Sequence, residues 1–104
     1  MIEKDVLDIL AGKHTHDLFI SHCKTGPWQG NAILDAWVMP YSWTKPIIGY
    51  EVKINRQDFR RDKKWEKYLE YCNIFYFVTP WGLINIEEVP SEAGLIWITK
   101  TKRS

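Results

Sequence analysis

Two acidic residues and a lysine interrupt apolar stretches of this chain. Asp35 lies within an apolar stretch over residues 31–39, and Glu51 and Lys53 lie within a second stretch over 47–54. Strand interiors disfavour aspartate, and a buried charge is stable only when it is paired or binds a metal. These side chains therefore predict a site that holds a divalent cation.

Strand periodicity can bring these side chains together. Successive side chains of a strand point to opposite faces, so Glu51 and Lys53 share one face while Tyr50 and Val52 turn toward a core. If the two apolar stretches pair as neighbouring strands, Asp35 lies beside Glu51, with Lys53 one step along. The same alternation predicts that Leu34 shares a face with Ala36 and Val38, opposite to Asp35.

Such a cluster suits phosphodiester hydrolysis. Asp35 and Glu51 would hold Mg²⁺, which activates a water and neutralises charge on the scissile phosphate. Lys53 would orient the attacking hydroxide or stabilise the charge that develops on the phosphate. Alone, however, Glu51 and Lys53 could be a surface ion pair, and Asp35 could belong to a capped turn or be a charge that protects an edge strand.

Composition bounds the class of protein. The chain has 104 residues, of which 45% are hydrophobic and 26% charged, so we expect one globular domain over 1–104. Its net charge of +1 gives no overall signal for binding a polyanion, so any nucleic-acid site must rest on local charge. Neither a membrane-spanning run nor a signal-peptide pattern is visible, and Cys23 and Cys72 have no paired spacing. We expect a cytoplasmic protein with free thiols and no membrane association.

The elements that must position the site follow from apolar patterning and turn residues. Early strands without helical crossovers predict an antiparallel meander, and a later helix allows a parallel crossover, so the class is α/β or α+β with a mixed sheet. The later helix should begin near Asp62 as its N-cap, and its buried face is predicted by the helical spacing of Trp65, Tyr68, Leu69 and Cys72. The predicted segments are a helix over 2–11, strands over 17–23, 31–39 and 47–54, a turn or short helix over 55–61, the helix from Asp62, a strand over 73–79, and short strands near 83–86 and 94–99.

This order of elements resembles that of the PD-(D/E)xK nuclease superfamily, whose core is α-β-β-β-α-β. The residues that match its motif are Asp35 and Glu51-Val52-Lys53, although Leu34 stands where the superfamily often has a proline. The chain resembles more closely the MmcB-related family of DNA repair nucleases. That resemblance is carried by Glu51-Val52-Lys53, Asp58-Phe59, Asp62-Lys63-Lys64-Trp65, Tyr68-Leu69-Glu70-Tyr71-Cys72, Val89-Pro90 and Ala93-Gly94-Leu95-Ile96.

The resemblance implies a restriction-endonuclease-like core and a metal-dependent DNA endonuclease or repair nuclease. Asp35, Glu51 and the backbone carbonyl of Val52 would bind Mg²⁺ or Mn²⁺, and Lys53 would assist the nucleophile. The superfamily often adds a carboxylate from the first helix, for which this chain offers three candidates. They are Glu3, Asp5 and Asp8. One subunit would cut one strand, and cutting two strands would need a homodimer.

Basic residues are concentrated just after the triplet. Seven of the fourteen lysines and arginines fall within residues 53–67, which favours a surface that contacts phosphates. The alternative is a solvated helix face with internal ion pairs. Trp43 lies between the two acidic strands and either stacks on a base or covers the edge of the core. The candidate nucleic-acid-binding residues are Trp43, Arg56, Gln57, Arg60, Arg61, Lys63 and Lys64.

Two further alternatives concern metal and function. His14, His16, His22 and Cys23 match no standard zinc spacing, so we expect ordinary roles, with His16 or His22 near nucleic acid or packed on a helix. A DNA-binding module that keeps the fold without cleaving is the rival function. The intact set of Asp35, Glu51 and Lys53 favours the enzyme.

Overall fold

The fold is a mixed five-stranded sheet with helices. The structure is a computed structural model, and it describes residues 2–24, 33–42, 44–62 and 65–99. The elements in chain order are α1 (Glu3–Lys13), β1 (Asp17–Lys24), β2 (Ile33–Pro40), β3 (Ile48–Val52), α2 (Arg56–Arg61), α3 (Trp65–Tyr68), a 3-10 helix (Leu69–Tyr71), β4 (Ile74–Pro80), a second 3-10 helix (Ile86–Glu88) and β5 (Gly94–Ile98). No helix in these ranges is long and apolar enough to cross a membrane.

The strand order follows the chain, β1-β2-β3-β4-β5. The first three strands pair antiparallel, and β3, β4 and β5 pair parallel. The connections explain the change of direction, because a parallel neighbour needs a crossover and α2 with α3 supplies one between β3 and β4. The predicted order α-β-β-β-α-β, with an antiparallel meander followed by a parallel crossover, is confirmed.

Apolar side chains cover both faces of the sheet. On one face α1 packs Val6 and Leu10 against a cluster that includes Ala36, Val38 and Tyr50. The opposite face carries the second cluster, formed by Leu34, Tyr68, Phe75 and Phe77 with Phe59 and Trp65 packed against it. The site residues on β2 and β3 are thus held between two packed layers.

Leu34 lies on the face opposite to the predicted one. Strict alternation places it with Ala36, yet it packs in the cluster with Phe75 and Phe77, whereas Ala36 packs under α1. The reason is local: the regular pairing of β2 with β3 ends at Ala36 and Tyr50, so the alternation is interrupted at Asp35.

The strand predicted near 83–86 is absent from the structure, which describes residues 65–99 without a gap. Asn85 begins a 3-10 helix there, because its backbone N–H donates to Glu88 Oε2 at 2.9 Å and the Glu88 N–H donates back to the Asn85 carbonyl at 2.9 Å. This reciprocal capping favours a helical turn over an extended segment.

The helix that was predicted to begin at Asp62 begins elsewhere in the structure. Asp62 is the C-cap of α2, where its backbone N–H donates to the Phe59 carbonyl. The following described helix is only Trp65–Tyr68, and it continues into the 3-10 helix Leu69–Tyr71. The apolar spacing correctly indicated a buried face, because Trp65 and Tyr68 both pack in the second cluster.

Candidate active site

Asp35 and Glu51 meet where β2 separates from β3. Beyond the last ladder pair, the Asp35 N–H donates to Glu51 Oε1 at 3.3 Å, and the Val52 N–H donates to Asp35 Oδ2 at 2.7 Å. Each carboxylate thus accepts a backbone donor that a regular ladder would have bonded to a carbonyl. The strand opening brings together Asp35, Glu51 and Val52.

Lys53 reaches the same point from just beyond the end of β3. Its Nζ lies 2.9 Å from Asp62 Oδ2 and 3.5 Å from Glu51 Oε2. Its backbone N–H donates to the Val78 carbonyl at 2.9 Å, which extends the pairing of β3 with β4. Burial works to lower the pKa of Lys53, but Asp62 and Glu51 together raise it, so the amine is a cation at neutral pH.

The two carboxylates are electrostatically crowded. Glu51 is only 7% exposed, and burial followed by the charge of Asp35 raises the pKa of Glu51 to about 8. Burial also raises the pKa of Asp35 to about 6, although its bond from the Val52 N–H works in the opposite direction. A bound cation would favour the ionised form of both groups.

Glu3 is the first-helix acid that reaches the site. It hydrogen-bonds to Asp35, and its charge contributes to the raised pKa of that carboxyl group. The other two candidates are engaged elsewhere, since Asp5 accepts the Ile2 N–H at 3.0 Å and Asp8 pairs with Lys4 at 3.0 Å.

Two residues of the site were not identified from the sequence. Asp62 is 5% exposed at its side chain and pairs with Lys53, and the Tyr68 hydroxyl donates to Glu51 Oε2 at 3.5 Å. Burial, followed by the charge of Glu51, raises the pKa of Tyr68. Helical spacing indicated that Tyr68 is buried, but no sequence signal gave its partner, because the contact depends on how α3 packs on β3.

The basic segment divides into engaged and exposed residues. Arg56 makes two hydrogen bonds to Glu88, at 2.5 and 3.3 Å, and thereby connects α2 to the second 3-10 helix. Gln57, Arg60 and Arg61 are exposed on α2. The three remaining candidates lie outside the described residues. They are Trp43, Lys63 and Lys64.

The donor set fits a hard divalent cation. The carboxylates of Asp35 and Glu51 are each bonded to the backbone of the other's strand, and oxygen ligands of this kind are those that Mg²⁺ and Mn²⁺ prefer. The adjacent ammonium group of Lys53 could face the phosphate that such a cation binds.

Comparisons with known proteins give a family and a fold. The family model described as DNA repair protein MmcB-like matches residues 35–101, which include Asp35, Glu51 and Lys53. A solved structure of a protein of unknown function from Silicibacter pomeroyi is similar at a TM-score of 0.61 and 24% identity, over 80% of this chain. The match covers 53% of that protein, so this chain spans about half its length. No curated protein matches the sequence.

Proposed function

Since the chain belongs to the MmcB-like family of DNA repair proteins, we propose that it is a metal-dependent nuclease of the PD-(D/E)xK type, which hydrolyses phosphodiester bonds in DNA. One observation carries the proposal. Asp35, Glu51 and Lys53, which are distant in sequence, meet at the opening between β2 and β3. This arrangement joins two metal-binding carboxylates to a cation that can face a phosphate.

The carboxylates form the metal site. Asp35 and Glu51, with the Val52 carbonyl, would hold Mg²⁺ or Mn²⁺, which would neutralise charge on the phosphate and lower the pKa of the attacking water. The Val52 N–H fixes the orientation of Asp35, and the Tyr68 hydroxyl fixes that of Glu51. Such supporting hydrogen bonds commonly decide how well a metal ligand is oriented.

Lys53 acts as a positive charge and hydrogen-bond donor rather than as a base. Asp62 and Glu51 hold its amine protonated at neutral pH and fix its position. The ammonium group then donates to a phosphate oxygen or orients the nucleophile as negative charge develops.

DNA approaches along α2, which directly follows the triplet. Gln57, Arg60 and Arg61 are exposed there, and Lys63 and Lys64 follow in the sequence. The Arg56–Glu88 pair sets the orientation of this helix instead of contacting phosphate. One such site cuts one strand, and cleavage of both strands requires a second copy of the chain.

The test is cleavage of a panel of DNA substrates with Mg²⁺ and with Mn²⁺. The panel contains duplex, single-stranded, flap and four-way junction DNA. Lys53→Ala should reduce cleavage by about 100-fold or more while DNA binding persists, because it removes a charge that acts on the transition state. Asp35→Asn and Glu51→Gln should abolish metal-dependent cleavage. Asp8→Asn, which changes an exposed acidic residue of α1, should have no effect on cleavage.

A DNA-binding module without nuclease activity is the second candidate. The closest contact of Lys53 favours it, because an ammonium group 2.9 Å from the buried Asp62 carboxylate is partly neutralised before any phosphate arrives. Tight DNA binding with no cleavage of any substrate in the panel would establish this alternative and overturn the nuclease.

A further inference from the structure

His22 stands opposite Asp35 where β1 pairs with β2. The neighbouring pairs Ser21–Ala36 and Cys23–Leu34 flank this position on both sides. His22 has φ of 53°, and it is the one described residue other than glycine with a positive φ. A left-handed residue in a strand breaks the regular geometry and redirects its side chain. The irregularity of β1 thus coincides with the opening of β2.

Three elements bring metal-binding groups together here. A carboxylate oxygen of Glu3 on α1, a ring nitrogen of His22 on β1 and a carboxylate oxygen of Asp35 on β2 all lie within 4.8 Å of one another. Atoms that bind one first-row metal ion lie about 2 Å from it, so ligand atoms this close can surround a single ion after small side-chain adjustments. His22 is exposed, which leaves this position open to solvent.

We propose that Glu3, His22 and Asp35 bind a second divalent cation, a transition-metal ion, which shares Asp35 with the cation held by Glu51. An imidazole nitrogen with two carboxylates selects transition metals over Mg²⁺, because imidazole is a poor ligand for Mg²⁺. The shared carboxylate gives the arrangement of two-metal phosphodiesterases, in which one ion stabilises the attacking oxygen and the other the leaving oxygen. This inference rests on the proposed metal site at Asp35 and Glu51, but its test measures metal binding directly.

Local charge supports a cation at this position. The carboxyl groups of Glu3 and Asp35 lie close together, and Glu3 acts on Asp35 through its charge. A cation bound between them would offset this repulsion and would also use the His22 nitrogen. The Glu3 and His22 side chains thereby gain a common partner.

The test is Mn²⁺ binding followed by electron paramagnetic resonance and calorimetry. The wild-type chain should bind two Mn²⁺ ions, and pulsed spectra should show coupling of Mn²⁺ to an imidazole ¹⁴N. His22→Asn should remove the ¹⁴N coupling and lower the affinity for the second Mn²⁺ ion by roughly tenfold or more. Asparagine suits this position because it tolerates positive φ. His16→Asn, which alters an exposed histidine of the α1–β1 turn, should change neither readout.

The outcomes separate this site from the proposed function. If Mn²⁺ binding depends on Glu51 but shows no ¹⁴N coupling and no loss in His22→Asn, the second site is overturned and the nuclease proposal stands. If Glu51→Gln leaves all Mn²⁺ binding unchanged while His22→Asn weakens it, the histidine site stands alone. Glu3→Gln offers a second variant with the same expected loss, in case His22→Asn fails to fold.

Discussion

Glu51 is the residue on which the site depends most. Its carboxylate is buried, yet Asp35 and Asp62 lie near enough to raise its pKa, and only Lys53 acts in the opposite direction through its charge. Tyr68 donates a hydrogen bond but carries no charge at neutral pH. A carboxylate in this environment costs free energy when it ionises, and a bound cation would offset that cost.

The raised pKa of Glu51 predicts how stability depends on pH. A glutamate ionises near pH 4.3 in the unfolded chain but near pH 8 in the folded protein, so the folded state binds the extra proton between these values. The metal-free protein should therefore lose stability as pH rises from about 4 to about 8. Urea unfolding at a series of pH values should show this decline, and Glu51→Gln should reduce it.

Metal and an unrelated carboxylate provide the controls for that measurement. Added Mn²⁺ at pH 8 should restore the stability of the wild-type protein more than that of Glu51→Gln. Asp8→Asn should leave the pH dependence unchanged, because Asp8 is exposed and pairs with Lys4. A decline of equal size in Glu51→Gln and the wild type would contradict the role given to Glu51.

Residue spacing anticipated part of this site for a physical reason. Alternation along a strand fixes the shared face of Glu51 and Lys53, and antiparallel pairing of adjacent strands brings Asp35 beside them. The contacts of Asp62 and Tyr68 depend on how α2 and α3 pack against the sheet, which no local pattern encodes. These two residues were therefore missed.

At the scale of elements, turn residues and apolar patterning predicted the order of helices and strands along the chain and the directions of the early strands. They did not predict the interruptions of regular structure. Leu34 changes face because the β2–β3 ladder ends beside Asp35, and alternation assumes an unbroken strand. The short helix at Ile86–Glu88 replaces a predicted strand because the Asn85 and Glu88 bonds cap a turn. Both departures arise where hydrogen bonds of polar groups override the apolar pattern.

Close packing of Cys72, which directly follows the 3-10 helix Leu69–Tyr71, against β3 predicts the effect of a change at Gly49. A Cβ at this position would lie 2.9 Å from Cys72 Sγ and 3.4 Å from Leu34 Cδ1. Gly49→Ala should therefore lower the free energy of unfolding by about 1–3 kcal/mol, because a filled contact must shift. Chemical denaturation measures this loss directly.

Cys72 identifies the source of that clash. In Gly49→Ala combined with Cys72→Ala the sulfur is gone, so the two changes together should cost less than the sum of the single changes. Gly12→Ala is the matched control, since nothing lies within 4 Å of a Cβ there and alanine favours the helix. Additive losses in the double variant would show that Cys72 is not the obstacle.

At the scale of the whole molecule, DNA binding depends on the location of charge. The net charge is only +1, and two of the basic residues near the site are engaged, Lys53 with Asp62 and Arg56 with Glu88. Arg60 and Arg61 remain exposed on α2. Affinity for DNA should therefore come from a small local surface and should depend on salt according to the number of phosphates contacted.

The dependence of DNA affinity on salt tests this surface. Each phosphate contact contributes about 0.9 to the slope of log affinity against log salt concentration. The Arg60→Ala, Arg61→Ala double variant should reduce the slope by about two. Affinity is measured in EDTA by fluorescence anisotropy with a labelled duplex, so that no cleavage interferes.

A variant of equal charge decides whether location matters. Lys13 ends α1 just before β1 begins, and Lys45 follows the end of β2. Both exposed lysines therefore lie toward the end of these strands where Asp17 pairs with Pro40, away from Asp35. Lys13→Ala with Lys45→Ala removes two positive charges, as the arginine variant does, and should leave the slope unchanged, because phosphates at the site do not reach that end. Equal slopes for the two double variants would mean that DNA senses only net charge, and α2 would then not be its docking surface. A reduced slope for the arginine variant alone would place the DNA backbone beside Lys53, where cleavage requires it.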